Sequence, residues 1–106
     1  MASAMGMRLQ LRRTDMDVLG HLNHAIYHDL FHEVRAALVD PLRTSEERYV
    51  LASDAVEYLR EVRYQDSYVD ASVRVEALGR TSITLQHELR LPDGTIAARN
   101  RVVLVA

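Results

Sequence analysis

One change of period constrains the fold of this chain more than any other feature. From Asn23 to Val39, Ile26, Leu30, Val34 and Ala37 recur at helical spacing, with Tyr27, Phe31 and Leu38 widening the stripe. On either side the pattern is alternation. Met7, Leu9 and Leu11 alternate with Arg8, Gln10 and Arg12, which predicts a half-buried strand. Asp40-Pro41 ends the helix, because the residue before a proline avoids the helical region. Leu42 to Arg48 are polar and predict a linking loop.

The rest of the chain reads as strands. Tyr49 to Tyr58 is apolar at first, then mixed. In Tyr68 to Ala77, Val69, Ala71, Val73, Val75 and Ala77 alternate with Asp70, Ser72, Arg74 and Glu76. Gly79 marks a turn, after which Ile83, Leu85, His87, Leu89 and Leu91 alternate with polar residues. Pro92-Asp93-Gly94 is a strong turn signal, and Thr95 to Val105 is the last strand. One long helix against one mostly antiparallel five-stranded sheet is an α+β two-layer plan. No repeat or linker divides the chain, so residues 1–106 are expected to form a single domain. Such a sheet leaves its edges to water or to a partner.

Composition narrows the function. The net charge is -2, which gives no sign of a nucleic-acid surface. No apolar run approaches a membrane span, and Met1 to Met7 does not read as a signal peptide. A cytoplasmic location is the default. There is no cysteine, which removes disulfides, thiolate metal sites and a Cys nucleophile. All 13 basic residues are arginine, so any anion site must be built from Arg, which grips phosphate by a bidentate fork.

The chemistry concentrates before the helix. Asp15, Asp17, Gly20, His21 and Asn23 crowd a short turn, and the helical pattern follows at once. A carboxylate beside the unpaired N–H groups and positive end of a helix can attack, or activate water against, a polarised carbonyl. The same residues also fit an acidic turn that only caps the helix, with Asn23 as N-cap. A calcium loop is excluded, because Leu19 and Ile26 stand where oxygen ligands are needed. His24, His28 and His32 share one helix stripe. Without a supporting acid at fixed spacing they read as a solvated face, and no metal is expected.

The segment Arg12, Asp15, Asp17, Gly20, His21, Asn23, Tyr27 resembles the Arg…Asp-x-Asp-x-x-Gly-His-Val-Asn-Asn-x-x-Tyr signature of the 4-hydroxybenzoyl-CoA thioesterase-like family of hot-dog acyl-CoA thioesterases. Leu22 replaces Val and His24 replaces the second Asn. Glu33 and Arg35 match the family's helical acid and Arg. Tyr58, Arg60, Arg63 and Asp66 fit a second stretch, in which Glu61 and Gln65 replace Pro and Gly. Gly79-Arg80-Thr81-Ser82 resembles the turn that opens the next strand.

The resemblance implies a hot-dog fold and hydrolysis of an acyl-CoA to free acid and CoA, with no cofactor. It implies Asp17 as the nucleophile or general base and the His24 backbone N–H as the donor polarising the thioester. Gly20 permits close approach in this scheme, and His21, Asn23 and Tyr27 surround the substrate. For Tyr27 a core position on the apolar stripe accounts equally for the residue. Asp15 is expected to order the loop by pairing with Arg12 or Arg13. Arg80 and Ser82 are candidates for the CoA phosphates, with Arg60 and Arg63 weaker ones. The resemblance further implies a homodimer, or a tetramer of two dimers, with the site shared between subunits. An acyl carrier protein thioesterase and a non-catalytic acyl-CoA binding module are the rival readings.

Overall fold

In a computed structural model, which describes residues 4–42 and 49–106, five strands and one long helix form two layers. The strands are β1 (Ala4–Gln10), β2 (Val50–Tyr58), β3 (Tyr68–Leu78), β4 (Ser82–Arg90) and β5 (Ile96–Val105). Every pairing is antiparallel, in the order β1-β3-β4-β5-β2. The hairpin chain β3-β4-β5 is central, and the two strands that flank the helix in sequence become the edges. All five predicted strands occur; the first lies earlier than its expected span, beginning at Ala4 and ending at Gln10, before Leu11 and Arg12. Of the linking loop expected at Leu42 to Arg48, residues 43–48 lie outside the described residues.

Helix α1 (His24–Val39) starts where the sequence places its cap: the Asn23 side chain accepts from the Ala25 N–H. Its buried seam is Tyr27, Leu30, Phe31, Val34 and Leu38. Ile26 and Ala37, expected on the stripe, are only half-buried. The helix is thus rotated slightly toward its aromatic residues, which bury more apolar area than Ile26 and Ala37 can offer. The seam packs on Val69, Ala71 and Val73 of β3, Leu85 and Leu89 of β4 and Val102 of β5. Two polar side chains join this core, His87 and Asn100.

Both are satisfied. Arg35 Nη1 lies 3.4 Å from His87 Nε2, and His87 Nδ1 lies 3.0 Å from the Asn100 carbonyl. A guanidinium only donates, so Nε2 accepts and Nδ1 carries the hydrogen given to the carbonyl. The ring is held neutral: burial pushes its pKa down to about 4, with the nearby Arg35 charge acting in the same direction.

The helix lies chiefly over β1, β3 and β4 and leaves the edge strand β2 largely exposed. Eight of the nine β2 residues are exposed, among them Val50, Leu51 and Tyr58. The outer face of the sheet is polar and ion-paired, with Arg8 to Asp70 at 2.9 Å and Arg101 to Glu76 at 2.8 Å.

Candidate active site

The chain enters the helix through a tight reversal. Met16 pairs with Leu22, and the Asp17 N–H donates to the His21 carbonyl at 2.8 Å. Gly20 closes this turn at φ +80, its N–H reaching the Asp17 carbonyl at 3.1 Å. A Cβ on Gly20 would meet nothing within 4 Å, so the glycine is needed for its backbone angle and not for space.

The two acids of the turn have separate tasks. Asp15 is buried. It accepts from the Arg12 N–H at 2.8 Å and from the Arg12 guanidinium at 2.8 Å, so it closes the loop as expected. Its partner is Arg12; Arg13 instead lies over the Tyr64 ring at 4.8 Å. Asp17 is exposed, and its Oδ1 accepts the N–H groups of Leu19 and His21 at 2.9 and 3.1 Å. Its other oxygen has no hydrogen-bond partner among the described residues. The carboxylate is therefore positioned by its own turn and not by the helix end, a difference from the arrangement expected from the sequence. The reversal between Met16 and Leu22 turns the N–H groups of Leu19, Gly20 and His21 onto Asp17 before the helix begins.

Asp17, His21, His24 and Tyr27 line one cavity of about 340 Å³, together with Tyr58 and Glu61. The His24 ring stacks on Tyr58 at 4.8 Å, and Tyr27 meets Tyr58 edge-on at 4.9 Å. Burial, followed by the neighbouring Tyr58, pushes the Tyr27 phenol up from its ordinary range, so it stays neutral. Tyr27 is thus both a core aromatic and a wall of the cavity. His21 Nε2 lies 3.5 Å from Glu61. The Glu61 carboxyl is held below its ordinary range by the Arg63 hydrogen bond first and by His21 second. At the helix start, the Asn23 side chain takes the Ala25 N–H and the Asn23 carbonyl takes that of Ile26. The His24 N–H has no acceptor among the described residues.

Gly20 and Asn23 shape this site without lining the cavity. Arg60, a weaker candidate from the sequence, does line it. Arg80 and Ser82 lie elsewhere. Tyr58 is level with Ala98, whereas Ser82 pairs with Val105, which pairs with Val50. They stand at the far end of the sheet, separated from Tyr58 by the length of the nine-residue strand β2, about 26 Å. Tyr58 and Glu61 were not assigned to the site from the sequence. Tyr58 ends a strand whose face is set by distant pairing with β5, and local pattern carries no sign of that.

The thioesterase-like superfamily model matches residues 11–106. Among solved structures, a thioesterase from Thermus thermophilus complexed with coenzyme A and Zn is 31% identical, with a TM-score of 0.86 over 95% of this chain and 82% of that one. The DHNA-CoA thioesterase of Staphylococcus aureus shares the fold at 18% identity, with a TM-score of 0.83 over 96% and 72% of the two chains. A further Staphylococcus aureus protein, SAV2348 in complex with CoA, does so at 16% identity, with a TM-score of 0.87 over 96% and 68%. No curated protein sequence matches the chain.

Proposed function

The chain belongs to the thioesterase-like superfamily of thioester hydrolases, and from that premise we propose that it hydrolyses an acyl-CoA to the free acid and CoA, using Asp17. One observation carries the assignment of the site: Asp17, with a carboxylate oxygen, and His24, with a helix N–H, both unpartnered among the described residues, line the same aromatic-walled cavity at the start of α1. In this reading the His24 N–H holds the thioester oxygen as negative charge develops on it. The free oxygen of Asp17 attacks the carbonyl carbon, or takes a proton from water as the water oxygen bonds to that carbon. The C–S bond then breaks, and the CoA sulfur leaves as thiolate and is protonated; where Asp17 itself has attacked, water next hydrolyses the acyl–Asp17 anhydride, releasing the acid and restoring the carboxylate. The His24 side chain, stacked on Tyr58, forms a wall of the cavity. Thiol release from a panel of acyl-CoAs tests this directly, and a chain with no cysteine contributes no background thiol. Intact thioester after long incubation would make the protein a binding module.

The CoA end of the reading requires a second copy. Strand β2 is an edge with exposed Val50, Leu51 and Tyr58, while the outer sheet face is occupied by ion pairs. Edge pairing is therefore less costly than stacking the outer faces. Antiparallel pairing of β2 with β2 of a second copy brings that copy's Val50 end beside Tyr58. With it come Ser82 and Arg80 of the second copy, which in this reading hold the CoA phosphates. Arg80→Ala is expected to raise KM for CoA thioesters with little change in kcat, and to leave a short pantetheine thioester unaffected. Mixing Asp17→Asn with Arg80→Ala protein should restore one intact site per mixed dimer, seen as recovered rate at low substrate. No recovery, or a fully active monomer in sedimentation equilibrium, would remove the shared site.

A further inference from the structure

The groove between α1 and β2 is divided in two. Near the helix start it holds the cavity lined by His24, Tyr27 and Tyr58. Toward the helix end it holds a second hollow of about 210 Å³, lined by Ala36, Val39, Leu51 and Leu104 together with the polar His32, Arg35, Asp40 and Tyr49. On the helix, His28 falls between these two sets of residues. On β2, Asp54 falls between Tyr58 and Leu51. These two residues meet across the groove, His28 Nδ1 lying 3.4 Å from Asp54 Oδ2.

The strand side of this crossing is firmly held. Asp54 pairs with Val102 in register, and its Oδ1 accepts from the Asn100 amide. The same amide nitrogen donates to the Ala55 carbonyl at 3.1 Å. Asn100 is only 1% exposed and is fixed in turn by its place beside His87. Asp54 is thus anchored from the core, and the half-exposed His28 closes against it. Leu22 and Val62, both buried, form the floor of the near cavity, and the crossing bounds it along the groove.

We propose that the His28–Asp54 contact sets the length of the acyl group that the site accepts. This rests on the acyl-CoA hydrolase reading, with the thioester carbonyl held at the His24 N–H. One helical turn separates His24 from His28, a rise of about 6 Å. An extended carbon chain covers that distance in about five atoms. The preferred substrates are therefore short-chain or single-ring acyl thioesters. Longer chains reach the crossing and must displace it. Removing the crossing joins the near cavity to the hollow beyond, whose Val39, Leu51 and Leu104 offer an apolar path for a longer chain.

The test compares butanoyl-, benzoyl- and decanoyl-CoA with wild-type protein, His28→Ala, Asp54→Ala and His28→Phe. Wild type is expected to favour butanoyl- and benzoyl- over decanoyl-CoA in kcat/KM. His28→Ala and Asp54→Ala should raise the decanoyl-to-butanoyl ratio about tenfold or more, the scale on which pocket length discriminates. His28→Phe keeps the bulk and should keep the cut-off. Calorimetric binding of the S-butyl and S-decyl thioethers of CoA, which cannot be hydrolysed, reads the same ratio without catalysis. A length cut-off in binding that His28→Ala releases supports the proposal even if no thioester is turned over, in which case the hydrolase reading alone fails. Wild-type protein that handles decanoyl and butanoyl groups equally, or a ratio that neither His28→Ala nor Asp54→Ala changes, overturns it.

Discussion

Asp17→Asn is expected to lower turnover of every CoA thioester by about a hundredfold or more, with no loss of fold. The substitution is selective because of how the turn is built. Oδ1 of an asparagine can still accept the Leu19 and His21 N–H groups, so the reversal before the helix survives. What is lost is the charge and the basicity of the second oxygen, which becomes an amide nitrogen. Asp17 is exposed and contributes little packing, so the melting temperature should hardly move. Asp15→Asn gives the opposite profile, a weaker fold with a smaller direct effect on chemistry, because Asp15 is buried against Arg12. Single-turnover rates and thermal melts of the two variants separate these roles. Wild-type turnover by Asp17→Asn on good substrates would dismiss Asp17 from the chemistry, and equal losses in both variants would remove the distinction between the acids.

The second large effect is on stability, and it belongs to His87. Its pKa is about 4 in the folded chain against an ordinary 6.5. Above the ordinary value the ring is neutral in both states and the core is at full strength. As pH falls below it, the unfolded chain takes up a proton that the folded chain refuses, and stability is lost progressively down to about pH 4. A shift of this size corresponds to roughly 3 kcal/mol. Urea midpoints between pH 7.5 and pH 4 should fall steeply for wild type. In His87→Gln, which keeps a polar group beside Arg35 and the Asn100 carbonyl but cannot titrate there, the fall should be shallower. Parallel profiles for the two proteins would show that His87 does not govern the acid limit.

Much of this architecture was legible locally. The helix, its Asn23 cap, the five strands and the Asp93-Gly94 turn depend on nearest neighbours and period, and all occur, the first strand earlier than the sequence indicates. The cluster Asp17, His21, His24 and Tyr27 was legible for the same reason, since one turn and one helix start position it. What escaped depends on long-range register. Tyr58 faces His24 only because β2 pairs with β5 at the sheet edge. Arg80 and Ser82 follow a glycine turn of the right type, yet their distance from Asp17 is set by strand lengths that no short motif encodes. Asp54, His87 and Asn100 looked like ordinary strand residues, and only assembly of three strands under the helix makes them a connected polar group.

The order of the strands also has a consequence for how the chain reaches this structure. The β3-β4-β5 meander closes through short turns, whereas β1 and β2 each find partners at least 40 residues away, β1 farther than β2. Chain closure over long separations is slow and unrewarded until the contact forms. The meander is therefore the natural nucleus, with α1 and both edge strands condensing on it, and β2, which the helix covers least, is the last to be held. Strand β2 is also the element with the least cover, so it should be the first to open under native conditions. In hydrogen exchange the amides of β4 should outlast those of β2, and whatever pairs with the free edge of β2 should slow its exchange most. Assembly of this protein and the last step of its folding would then be a single event.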